Sequence, residues 1–296
     1  MLQTLYQSTI IMATPLILVS LGGLMAYHAG VINVAMEGLI LAGSFCGVVF
    51  SYLFSSAWIG ILAAVIVSVM FSLLYSFFVT TLKTNNFAIG FAMNIFISSF
   101  TIYLMRIMFI GQNAFNSPDI AAIPNLNIDL HAGVLNALFS NFSIITYLAV
   151  VIAFIISYVI YKTPYGLQLR AAGSFPEALK AAGKKVGLIQ YTASVITGAL
   201  CGLAGAQLSL SNVVMFTRNM SSGRGFICLA AILISKGNPK IVALLSLLFG
   251  FFEALSIKMQ ILNVPSQFLS ILPYIMAITA LVIMSVPKKS KQKYSG

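Results

Sequence analysis

Apolar residues run through this chain in long blocks, and polar residues collect in the short gaps between them. The blocks lie near 8–26, 34–53, 57–82, 87–110, 142–161, 189–211, 224–236, 241–258 and 267–286. A helix needs about 20 consecutive apolar residues to cross the hydrocarbon core of a bilayer. All the blocks but one reach that range, which predicts an all-α polytopic membrane protein with about eight to ten spans. The exception, 224–236, is too short to cross alone at about 1.5 Å per residue. It reads as a half-helix continued by non-helical chain at membrane depth. Such chain is tolerated only inside protein or beside a watery cavity. The stretch 27–34 breaks the helical pattern in the same way, with Gly30 and Asn33 at the entrance to the next block.

Composition supports the spans. Of 296 residues, 60% are hydrophobic and 7% are charged. A soluble domain carries about 25% charged residues, so this chain has too few to clothe a water-facing surface. The three cysteines, Cys46, Cys201 and Cys228, all sit in apolar blocks without metal-ligand spacing.

The net charge of +11 raises nucleic acid as a partner, but its distribution excludes that class. Lys288, Lys289, Lys291 and Lys293 crowd the tail, and Lys162, Arg170, Lys180, Lys184 and Lys185 crowd one central loop. No basic face alternates with aromatics as single-strand binding requires. The pattern follows the positive-inside rule. It places loop 162–188, tail 288–296, Lys83 and the pair Lys236/Lys240 in the cytoplasm. Loop 111–141, which has Asp119, Asp129 and His131 but no Lys or Arg, then faces outside. The membrane-embedded body is residues 1–287, and the N-terminus lies outside.

A short internal echo joins two blocks. Glu37-Gly38-Leu39-Ile40-Leu41-Ala42-Gly43 resembles Arg224-Gly225-Phe226-Ile227-Cys228-Leu229-Ala230. The two run in opposite directions in this topology, as an inverted repeat produces. Seven apolar-rich positions also match by chance.

The central loop carries a helix signature. Ser174 followed by Glu177 fits a capping box, Pro176 suits a first turn, and Gly183 suits a C-terminal stop. This predicts a helix of about eight residues, some 12 Å long. It either rests on lipid headgroups or docks a cytosolic protein.

Here the sequence resembles a known family. The run from Arg170 to Gly183 resembles the cytoplasmic coupling loop of ABC-importer permeases in the branched-chain amino acid, ribose and nucleoside group. Ala13-Thr14-Pro15-Leu16 through Gly22-Gly23, Gly30-Val31-Ile32-Asn33-Val34-Ala35-Met36-Glu37-Gly38 and Phe216-Thr217-Arg218-Asn219-Met220-Ser221-Ser222-Gly223-Arg224-Gly225-Phe226 resemble signatures of its nucleoside and simple-sugar branch. The segments occur in family order and cover nearly the whole chain. Two positions depart from the pattern: Tyr27-His28-Ala29 replaces a more charged turn, and Arg218 stands where an acidic residue is common.

The resemblance implies a transmembrane permease subunit of an ATP-driven importer for nucleosides or simple sugars, in the bacterial plasma membrane. It implies cytosolic ATP-binding subunits, a second permease chain (a paralogue) and an extracytoplasmic substrate-binding protein. It also implies that Arg170, Gly173, Pro176, Glu177 and Gly183 define the element that touches the ATP-binding subunit. The chain lacks G-x-x-x-x-G-K-[ST], so no phosphate-cradling loop is expected here. No cofactor is expected on this chain, and ATP-Mg belongs to the partner. Branched-chain amino acids are a rival substrate class. An ion-coupled secondary transporter and a membrane scaffold or enzyme are rival functions.

Charged residues inside a membrane cost about 2.5–3.5 kcal/mol even on the lenient insertion scale and are functional suspects. Glu37, Arg224 and Glu253 are candidates to line or brace a pathway, with Glu37 and Arg224 a candidate pair. Each also has a plain reading as a cap, a snorkelling group or a helix brace. Asn33, Asn94 and Asn219 complete the candidate pathway set, and Asn94 and Gln207 are equally suited to bonding between helices. His28 and His131 have no partners at ligand spacing, so no metal site is expected. No nucleophile–base–acid arrangement is present.

Overall fold

A computed structural model of the chain describes residues 2–109, 114–126 and 142–259, together with Ile275, Thr279 and Val282. The rest of the span read over 267–286, the tail 288–296 and much of loop 111–141 lie outside the described residues.

The apolar blocks fold as helices, in chain order α1 Leu2–His28, α2 Met36–Phe54, α3 Ala57–Ser76, α4 Asn86–Met108, α5 Ile144–Lys162, α6 Pro164–Ser174, α7 Pro176–Ala181, α8 Val186–Ala206, α9 Arg224–Ile234 and α10 Pro239–Met259. Two of them run on into π-helical turns, Phe77–Thr81 after α3 and Gln207–Asn212 after α8. Seven of the helical segments are long and apolar enough to cross a membrane. The eleven-residue α9 is not among them, as its block length predicts.

Helices α1 and α2 form the buried centre, while α4 is the most exposed of the seven. The core is closed by small residues that let backbones approach, the usual membrane solution. A Cβ on Gly22 would sit 3.2 Å from the Thr197 Cα, which fixes the α1–α8 crossing, and Gly250 of α10 lies against Ala13 of α1. Phe154, Ile155 and Tyr158 on α5 and Leu62 and Met70 on α3 stay exposed. In a chain with these spans they face lipid.

Two faces are defined by what meets there. The basic segment 162–188 packs against the end of α1, with Gly173 beside His28 and Gly30. The Gln190 side chain donates to the Ala29 carbonyl, and His28 bonds the Gly237 carbonyl at 2.8 Å. At the opposite face the Ser51 hydroxyl donates to the Ala121 carbonyl. Two short strand pairs lie there, Ala114–Phe115 with Phe216–Thr217 and Asn125–Leu126 with Phe142–Ser143.

Both expected breaks are present. Residues 29–35 leave the helix after α1, with Gly30 exposed, Ile32 partly buried and the other five buried, before α2 begins at Met36. Residues 213–223 separate α8 from α9. The echo between 37–43 and 224–230 has a geometric counterpart. Each copy opens the helix after a break, and each break follows a helical run of 27 residues. Helix α2 runs toward the face of Ala121, whereas α9 runs toward the face of Gly237.

The capping box read at Ser174 is a correction. Ser174 is the last residue of α6, a helix of eleven residues. Helix α7 has six residues and begins after Phe175 without a side-chain cap. The start signal lies earlier, at Thr163-Pro164. The Thr163 hydroxyl accepts the Gly166 N–H at 3.1 Å, and Pro164 occupies the first turn, where its missing N–H costs nothing. Gly183 does stop α7, at φ +74°.

Candidate functional site

The two breaks meet. Gly223, at φ +77°, precedes α9 in a left-handed conformation open to glycine at low cost. The Glu37 carboxylate accepts the Gly223 N–H through Oε1 and the Gly225 N–H through Oε2, each at 2.7 Å. One side chain thus satisfies two of the free amide donors at the start of α9 and places negative charge at its positive end. Gly225 permits the approach, because a Cβ there would lie 2.6 Å from the Glu37 Cα. The N-terminal ends of α2 and α9 are therefore held together at the centre of the molecule.

Asn94 of α4 holds the other side of the same break. Its Oδ1 accepts the Gly38 N–H at 2.8 Å, and its Nδ2 donates to the Val34 carbonyl at 2.9 Å. Asn33 closes the break locally by accepting the Ala35 N–H. Arg224 pairs with Glu253 of α10, and its guanidinium also donates to the Met220 carbonyl. The suggested Glu37–Arg224 pair is thereby corrected, since helix amides occupy Glu37 and Glu253 takes the arginine.

Beside this junction lies a cleft of about 590 Å³, lined by Glu37, Asn94, Ser98, Ser99, Asn219 and Ser222 among its polar groups. Phe91 of α4 and Phe226 of α9 stack at its edge, with centroids 5.9 Å apart. Phe91, Ile95, Ser99, Asn219, Ser222 and Phe226 remain exposed, so the cleft is open on the α4–α9 side. The wall combines apolar faces with a few polar groups, as small-molecule sites do. Of the candidate pathway residues, Glu37, Asn94 and Asn219 line this cleft, while Asn33, Arg224 and Glu253 stand behind it. The aromatic pair was missed in the sequence. Its signal was an aromatic one turn before Asn94 and another just after Gly225, indistinguishable there from lipid-facing surface.

The residues expected from the resemblance to couple to a partner lie in the basic segment 162–188. Gly173 is a contact point, since a Cβ there would overlap the His28 carbonyl oxygen and lie 2.9 Å from the Gly30 nitrogen. Arg170 lies over the Tyr161 ring, 5.6 Å from its centroid. Pro176 starts α7, and Glu177 forms an exposed pair with Lys180 at 2.8 Å. Gly183 is exposed with open space around it. Phe175, which the sequence reading did not single out, is 71% exposed. Among the described residues no cluster of His, Cys, Asp or Glu is arranged to hold a metal.

Comparison with known proteins identifies the family. A family model described as the branched-chain amino acid transport system permease component matches residues 5–282. The guanosine ABC transporter permease protein NupQ of Bacillus subtilis is 30% identical over 293 residues, covering 95% of this chain and 91% of that protein. The nucleoside ABC transporter permease protein NupC of Lactococcus lactis is 30% identical, covering 95% and 92%. The putative glucose ABC transporter permease protein TsgC13 of Haloferax volcanii is 26% identical, covering 88% and 78%. No solved structure matches. With seven helices able to span, the chain is a multi-pass protein of the bacterial plasma membrane, and it belongs to the branched-chain amino acid transport system family of ABC transporter permeases.

Proposed function

We propose that this chain imports nucleosides, as the permease subunit of a complex whose ATP is hydrolysed elsewhere. The observation that carries the substrate class is the cleft where the two broken helices meet. Its Phe91 and Phe226 rings offer faces to a planar base, and Ser98, Ser99, Asn219 and Ser222 offer hydrogen bonds to ribose. The relatives named for guanosine and nucleosides support the same class. Simple sugars are a second reading, favoured by the hydroxyl-rich wall and by the glucose-named relative.

The proposed motor connection starts at α7. Phe175, Pro176, Glu177 and Gly183 face the cytoplasm and seat in the ATP-binding subunit, with ATP-Mg held by that partner. Movement of α7 passes through Gly173 to the turn at His28–Gly30, and His28 passes it to Gly237 beyond the end of α9. The same turn leads into residues 29–35 and so to Glu37. Both broken helices are thus connected to the coupling element, and both end at the cleft. The open α4–α9 side of the cleft is closed by the second permease chain, a paralogue. An extracytoplasmic binding protein delivers substrate at the face of residues 114–126.

An ion-coupled mechanism finds little support. It requires a titratable group free to exchange its ion, whereas Glu37 is held by two amides and Glu253 by Arg224. The test is purification of the tagged chain from its own membranes. Recovery of an ATP-binding subunit, and nucleoside binding by the cognate binding protein, are expected. Recovery without any ATPase, or a binding protein that takes only branched-chain amino acids, contradicts the proposal.

A further inference from the structure

A smaller chamber of about 200 Å³ adjoins the cleft and shares Asn219 and Ser222 with it. Asn212, Arg218 and Arg224 also line it. Its unpartnered buried polar atoms are all donors. The buried Nδ2 of Asn212 and the buried Nε atoms of Arg218 and Arg224 have no hydrogen-bond partner among the described residues.

A relay fixes which end of the Asn212 amide is free. The Ser143 hydroxyl donates to Gln207 Oε1 at 2.7 Å, and Gln207 Nε2 donates to Asn212 Oδ1 at 3.2 Å. That engages the oxygen and leaves the donor. No carboxylate lines the chamber. Glu253 balances Arg224, whereas Arg218 forms no ion pair among the described residues.

Buried donors are rarely left unmet, so the chamber calls for a group rich in acceptors. A keto oxygen beside a ring nitrogen supplies adjacent acceptors on one planar edge, the pattern that arginine reads on guanine. We infer that this chamber receives only the acceptor-bearing edge of a nucleobase whose ring and ribose lie in the cleft, with Asn212 and Arg218 selecting 6-keto over 6-amino purines. The inference rests on the nucleoside reading of the cleft. It makes Asn212 and Arg218 specificity residues and gives buried Gln207 the task of orienting Asn212.

The test uses the complete importer in proteoliposomes with its own binding protein, measuring inosine and adenosine uptake. The binding protein's preference is common to all variants and cancels in the comparison with wild type. Asn212→Asp replaces the free donor with an acceptor at nearly constant shape. It is expected to lower the inosine-to-adenosine ratio by roughly tenfold, the discrimination typical of a good base contact. Arg218→Gln lowers the ratio in the same direction and serves as the second variant if Asn212→Asp fails to assemble. An unchanged ratio in properly assembled complexes overturns the inference. So does stronger competition by inosine 5′-monophosphate than by inosine, which would identify an anion site. A wild-type importer that carries neither nucleoside overturns the substrate reading itself, a result distinct from an unchanged ratio.

Discussion

The Glu37 carboxylate holds the Gly225 N–H at 2.7 Å across 188 positions of sequence. This contact joins the start of α2 to the start of α9, so that a full-length helix and a half-span behave as one unit beside the cleft. Replacing Glu37 with Ala strands two buried amides, each worth about 1–3 kcal/mol when left unpaired. The expected loss of stability is therefore about 2–6 kcal/mol. Glu37→Gln keeps one acceptor and loses less. Thermal unfolding in detergent, followed by size-exclusion chromatography, reads both. Equal melting of the two variants would contradict the capping role.

Arg224 and Glu253 bury opposite charges within the bundle, with side chains only 15% and 17% exposed. Removing one partner leaves the other uncompensated and typically costs about 3–5 kcal/mol. Arg224→Met or Glu253→Leu alone is expected to cut folded protein sharply. The double variant regains much of the loss, because a buried pair exchanges for apolar groups at little net cost. A double-mutant cycle measures the coupling. Strict additivity would mean the pair does not brace the helices.

Gly173→Ala pushes α6 away from the His28–Gly30 turn, because the added Cβ would overlap the His28 carbonyl oxygen and lie 2.9 Å from the Gly30 nitrogen. The complex is expected to assemble and hydrolyse ATP, while uptake falls by an order of magnitude or more (a change of about 1.4 kcal/mol or greater in the coupled step). Parallel losses of both activities would place Gly173 in assembly rather than transmission.

Glu177→Lys tests docking without disturbing the fold. The residue is 83% exposed and its pair with Lys180 is a surface one, worth about 0–1 kcal/mol. Melting temperature should be unchanged, while the ATP-binding subunit no longer co-purifies. Normal co-purification would remove Glu177 from the interface.

Much of this architecture was legible in one dimension because the membrane imposes length. Uninterrupted apolar runs and the short 224–236 block report directly on spanning and half-spanning segments. The breaks were legible because Gly30 with Asn33, and Ser221-Ser222-Gly223, cannot sustain an apolar helix. What Glu37 does was not legible, since its partners are backbone amides 186 and 188 positions away and amides carry no sequence signal. The Arg224–Glu253 pair was hidden for a related reason: several pairings of few charges satisfy the same composition, and only the packing of α9 on α10 chooses. The misplaced cap at Ser174 had a local rival, because Thr163-Pro164 carries a stronger start signal and the helix it begins absorbs Ser174.

The central claim is that ATP hydrolysed on a partner subunit drives solute through the cleft beside Glu37. Its most direct test is radiolabelled guanosine uptake into proteoliposomes holding both permease chains, with ATP-Mg and ATP-binding subunits on the coupling-helix side and binding protein on the other. Uptake should require ATP, persist when proton and sodium gradients are collapsed, and disappear in Gly173→Ala while hydrolysis continues. Guanosine accumulation that needs no ATP and follows an ion gradient would contradict the account.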